Sequence, residues 1–130
     1  MKKIIFILSI IFFLPVFAFA EAEGKIAIAV EGKSPTAEVS QAAGRSPYFL
    51  IFDRSGNLLK TIDNPHKADR RRAGASVVVF LAQKGVTFIS AGEFGERMIQ
   101  AMRNDGMRYL EFQGVAEDAL KQILLQLGES

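Results

Sequence analysis

The chain has 130 residues, with 16 basic and 14 acidic side chains, one histidine and no cysteine. Without thiols it has no disulfide, no thiolate metal site and no cysteine nucleophile, and a single imidazole excludes a multi-histidine metal centre. Two of the basic residues, Lys2 and Lys3, belong to a leader; the rest of the chain carries 14 charges of each sign, which removes the electrostatic motive for binding nucleic acid.

The leader comes first. Met1-Lys2-Lys3 precedes an apolar stretch, Ile4 to Phe17, broken only by Ser9 and Pro15, and Ala18-Phe19-Ala20 is a small-x-small cleavage sequence. That layout predicts a signal peptide over 1–20, cleavage after Ala20 and a single exported, periplasmic domain over 21–130. The alternative is an uncleaved anchor, for which the run is at the short end of a bilayer span. No twin-arginine pair is present, so the general secretory route is expected. That route moves unfolded chains, and any bulky cofactor is then loaded after export.

Lys25 to Val30 alternates Ile and Ala and reads as a central strand. Residues 31–46, rich in Gly, Pro, Ser and Gln, read as a long loop. Tyr48 to Asp53 and Leu58 to Ile62 form a hairpin across Ser55-Gly56-Asn57, with Gly56 supplying a positive φ. Asp63-Asn64-Pro65 ends it. A helix is predicted over Ala73 to Lys84, stopped by Gly85, then a strand over Val86 to Ser90. A second helix is predicted over Glu93 to Asn104, with Phe94, Met98, Ile99 and Met102 on its apolar face and Gly106 as its stop. Met107 to Phe112 is the last strand. Val115 to Leu127 is the last helix, with Ala119, Leu120, Ile123, Leu124 and Leu127 inward. A hairpin followed by strand–helix alternation implies an α/β fold with helices on the faces of a mixed sheet.

Val39-Ser40-Gln41-Ala42-Ala43-Gly44-Arg45 with Phe49 resembles the signature segment of the dinitrogenase iron–molybdenum cofactor biosynthesis family, which reads Val-Ser-x-His-Phe-Gly-Arg-x-x-x-Phe. Val39, Ser40, Gly44, Arg45 and Phe49 match; Ala42 and Ala43 stand where the family has His and Phe. Asn64-Pro65, Arg72-Ala73-Gly74-Ala75, Ser90-Ala91-Gly92 and Gly114-Val115-Ala116-Glu117-Asp118-Ala119 follow the family's order as well. The resemblance covers about residues 25–127. It implies a five-stranded mixed sheet flanked by helices, ribonuclease H-like, and cargo in the form of a Mo–Fe–S or Mo–Cu–S cluster.

On that resemblance the loop from Ser40 to Ser46 approaches the cluster, with Ser40, Gln41, Arg45 and the amides near Gly44 as hydrogen-bond donors to an anionic surface. The basic run Lys67 to Arg72 before a predicted helix start opposes the macrodipole, which makes sense if an anion docks there, with Arg72 charged and Gly74 allowing close approach. Gly92 and Gly95 flank a turn beyond a strand's carboxyl end, where open α/β sheets place ligands. His66 is the candidate metal ligand, in place of the missing loop histidine. Each segment also has a plain structural reading, as a turn, a solvated basic loop or a helix start. Met98, Met102 and Met107 have the soft thioether that suits Cu(I), but read better as core. The acidic residues show no convergent spacing, so no enzyme is expected. The reading is therefore a non-covalent periplasmic carrier for an anionic metal–sulfur cluster or related oxyanion. It has no nucleic-acid partner and no membrane contact once the leader is removed. The alternative is a metal-free periplasmic module that binds a protein.

Overall fold

The computed structural model describes residues 24–128. The expected leader and its cleavage site lie outside the described residues. The elements run β1 (Lys25–Val30), a 3₁₀ turn (Ala43–Arg45), β2 (Tyr48–Phe52), β3 (Leu58–Asp63), α1 (Ala73–Ala82), β4 (Val86–Ala91), α2 (Glu96–Asp105), β5 (Arg108–Glu111) and α3 (Ala116–Gly128). The five strands form one mixed sheet in the order β3-β2-β1-β4-β5. β1, β2 and β3 pair antiparallel, while β1, β4 and β5 run parallel.

The alternation in β1 sorts the two faces. Ala27 and Ala29 face one core with Phe49, Ile51, Ile89, Val77, Leu81, Met98 and Met102. Small side chains on that face let α1 and α2 lie close to the sheet. Ile26, Ile28 and Val30 face the other, with Leu50, Phe52, Phe88, Leu120 and Ile123 under α3. Among the described residues both cores are built between Ile26 and Leu127. Met98 and Met102 are buried in the first core.

The hairpin turn is as the sequence implies, with Gly56 at φ 89. The second helix differs: it starts at Glu96, not Glu93. Gly92 and Glu93 stay out of the helix because their amides are taken by the loop after β1, Gly92 N–H donating to Ser40 O at 2.8 Å and Glu93 N–H to Gln41 O at 2.7 Å. Phe94 then turns inward, buried against the Tyr109 ring. The long loop is likewise more ordered than its composition suggests. Val39 bridges Val30, Glu38 bridges Val115 and Ala42 bridges Glu93, so backbone groups of the loop are satisfied without a regular strand.

Candidate functional site

The loops after β1 and β4 meet beyond the carboxyl ends of two neighbouring parallel strands, the position where such sheets leave a crevice. The Ala43 N–H to Glu93 O bond, 3.3 Å, closes this seam. Next to it, the 3₁₀ turn presses on the start of α1. A side chain is sterically excluded there: a methyl on Gly44 would come 2.7 Å from the Gly74 nitrogen, and one on Gly74 would come 2.9 Å from Met98 Cβ. These glycines bring the turn, α1 and α2 to one point.

The result is a pocket of about 330 Å³. Its walls are Ala42 to Arg45 from the turn, Arg72 to Ala75 from the start of α1, and Glu93, Gly95, Arg97 and Met98 around the start of α2. Both helices open into it, and neither N-cap, Arg72 or Gly95, supplies a capping side chain. The first-turn amides of both helices lack helical carbonyl partners, and both positive dipole ends point this way. Three arginines, Arg45, Arg72 and Arg97, line the wall with one acidic residue, Glu93. Among the described residues none of these arginines is in an ion pair; the ion pairs are His66–Asp69 and Lys121–Asp118. The pocket is therefore electropositive, with hydrogen-bond donors to spare.

Two of the arginines are held by the backbone. Arg72 adopts φ 58, the single positive φ among the described non-glycine residues, a conformation that costs a side-chain-bearing residue about 1–2 kcal/mol. Such strain recurs at binding sites. Arg45 donates from Nη1 to the carbonyl oxygens of Lys67 and Asp69, which fastens the basic loop beside the pocket. Asn64, almost fully buried, anchors the same region. Its Nδ2 donates to Gly44 O at 3.1 Å and Ser46 O at 2.9 Å, and its Oδ1 accepts the His66 amide at 2.9 Å.

The structure brings Gly44, Arg45, Arg72, Gly74 and Gly95 together in the pocket wall. Ser40, Gln41, Gly92 and His66 lie outside it. Ser40 is buried, with a hydroxyl that has no partner among the described residues. Gln41 lines a separate surface cavity with Glu31, Glu38 and Gln113. Gly92 is small because Gln41 Cα would lie 2.7 Å from its methyl. His66 pairs through Nδ1 with Asp69 at 2.8 Å and meets the Phe80 ring edge-on. Among the described residues no group of three or more His, Cys, Asp or Glu side chains is arranged to hold a metal ion. Sequence reasoning missed Arg97. With the helix predicted from Glu93, Arg97 falls beyond the first turn; only the observed start at Glu96 puts this cation at the positive end of the macrodipole. Glu93, taken as an unremarkable carboxylate, also lines the wall.

Comparison with known proteins follows the same geometry. A search of curated proteins finds no match. Among solved structures the fold resembles the apo orange protein of Desulfovibrio gigas, at 21% identity and TM-score 0.73 over 79% of this chain and 88% of that one. It also resembles a proposed NifB protein from Thermotoga, at 28% identity and TM-score 0.65 over 79% and 88% of the two chains. A proposed dinitrogenase from Methanocaldococcus jannaschii matches at 13% identity and TM-score 0.54, over 80% and 90%. The model of the dinitrogenase iron–molybdenum cofactor family matches residues 24–126, a span that holds all five strands, the buried residues of both cores and the whole pocket wall, and the chain belongs to that family.

Proposed function

We propose that this protein carries an anionic metal–sulfur cluster, of Mo–Fe–S or Mo–Cu–S type, or a related oxyanion, and holds it without a covalent protein ligand. The observation behind this reading is the pocket wall: three arginines that make no ion pair among the described residues and two helix N-termini at one cavity, with no thiolate or imidazole in the lining. Cargo there brings its own sulfide or oxide, and the guanidinium groups and amides hydrogen-bond its negative surface. Chemistry on the cargo is not part of the proposal, and no enzymatic activity is assigned. The leader in the sequence suggests a periplasmic protein starting at Glu21, which an intact mass of the chain recovered from that compartment would check.

The test is titration of residues 21–130 with tetrathiomolybdate plus copper, and with molybdate alone. A charge-transfer band and a rise in Tm are expected. At free ligand about 100 times Kd the gain is about 2.7 kcal/mol, roughly 10 °C or more for a domain of this size. Arg72→Gly should weaken binding about tenfold, by losing a charged hydrogen bond, yet leave stability unchanged or slightly raised, because glycine accepts the positive φ without strain. A second reading rests on Ala42, which is exposed in the wall where the family's motif has a ligating residue type: a module that has lost its cargo and binds a protein. Ala42→His separates the two. Tighter binding than wild type supports the carrier; no band and no Tm shift with either protein supports the module.

A further inference from the structure

The end of the molecule opposite the pocket has a different character. Among the described residues the strongly exposed large apolar side chains are Leu58, Leu59, Val79 and Leu125, at 43%, 45%, 58% and 60%. All four lie toward this end. Leu58 and Leu59 open β3 where it pairs with the end of β2, and Phe52 there faces Ile26 at the start of β1. α1 runs away from the pocket, so Val79 is in its far half, and Lys84 beyond it accepts a bond from Lys25 Nζ at 3.1 Å. α3 ends here as well, Leu124 lying 3.2 Å from where a methyl on Gly56 would be.

Cations accompany the leucines. Lys25, Lys60 and Lys84 line one crevice of about 320 Å³ with Leu59, and Arg54 sits in the exposed β2–β3 turn. One carboxylate, Asp53, shares that turn; it accepts the amides of Ser55 and Asn57, both at 2.9 Å, keeps its charge, and is outnumbered by the four cations. The pocket end is also basic, but none of the strongly exposed large apolar side chains is there. The apolar run Ile4–Ala20 reaches β1 through Glu21 to Gly24, and β1 begins at this same end. Among the described residues no helix is long and apolar enough to cross a membrane, so contact made by the domain itself would be peripheral.

We infer that this end, around Leu58, Leu59, Lys60 and Lys84, docks on an anionic lipid bilayer. The lysines meet the headgroups and the leucines enter the interface, leaving the pocket directed away from the membrane. Removing the leader would then not end membrane contact, contrary to what the sequence alone suggests. The inference does not depend on what the pocket binds.

The experiment is sedimentation of residues 21–130 with vesicles of pure phosphatidylcholine or of phosphatidylcholine containing phosphatidylglycerol. Binding is expected only to the anionic vesicles, weakened by raising NaCl from 0.05 to 0.5 M. Lys60→Glu should reduce it about tenfold or more. Leu58→Ser with Leu59→Ser should reduce it too, and both positions are exposed enough to change without unfolding the domain. Failure to bind anionic vesicles, equal binding to neutral ones, or loss of binding on Arg70→Glu with Arg71→Glu but not on Lys60→Glu would each overturn the inference. The last outcome would put the membrane at the pocket end.

Discussion

At Gly44 the constraint is distance rather than φ, since a methyl there would meet the backbone of Ala73 and Gly74, whereas one on Gly74 would meet the Met98 side chain. A backbone neighbour cannot swing away as a side-chain tip can. Gly44→Ala is therefore expected to cost about 1–3 kcal/mol, the range for overpacking, and to distort the pocket mouth; urea denaturation measures the first and ligand titration the second. Asp53 shows the opposite case, a residue explained wholly by its turn. Hydrogen bonds from the Asn57 backbone and side chain and from the Ser55 amide hold its carboxyl below the ordinary carboxylate range. Since the folded value is the lower one, the turn's contribution is complete above the usual carboxylate titration and is lost as pH falls through the depressed value. A carboxyl NMR titration should find Asp53 titrating below the ordinary carboxylate range, and Asn57→Ala, which removes the side-chain bond, should move it part of the way back up.

The elements around the pocket are joined by few side chains. Asn64 links the end of β3 to the 3₁₀ turn through Gly44 O and Ser46 O, and Arg45 links that turn to the basic loop. Asn64→Ala leaves buried carbonyl groups without their donor, a loss of about 1–3 kcal/mol. Hydrogen exchange should show faster opening of residues 43–47 and 64–69 in this variant, with little change in α3, which packs on the other face. Slower or unchanged exchange in those segments would mean that packing alone holds the turn. The starts of α1 and α2 depend on this arrangement too. Neither has a capping side chain, so an anion in the pocket would serve both, and loss of order in the turn would remove a wall that both helices share.

Across the whole molecule the sheet separates two charged ends. The arginine pocket lies beyond the carboxyl ends of β1 and β4, and the lysine–leucine end lies at their amino ends. Six residues of β1 at about 3.3 Å each put the two ends roughly 20 Å apart, more than twice the Debye length at physiological salt. The two sets of charges should act independently. Lys60→Glu is expected to leave the affinity for tetrathiomolybdate within about twofold of wild type, and Arg72→Gly to leave vesicle binding within the same limit. A change of tenfold in either cross-measurement would show the ends to be coupled through the sheet.

The sequence by itself determined the element order, the hairpin at Gly56, the two faces of β1 and the family resemblance, because these follow from residue periodicity, turn chemistry and a short motif. Of the residues it singled out, Gly44, Arg45, Arg72, Gly74 and Gly95 share one pocket wall. Only the tertiary structure decided which neighbours of those residues share the wall. Ser40 and Gln41 are consecutive with Ala42, yet Ser40 is buried and Gln41 lies in a different cavity, because the chain bends at Gln41 between them. Arg97 enters from a helix whose start was displaced by three residues, from Glu93 to Glu96, when backbone hydrogen bonds to the β1 loop kept Gly92 and Glu93 out of the helix. That pairing joins residues about fifty positions apart, and local propensity does not encode it.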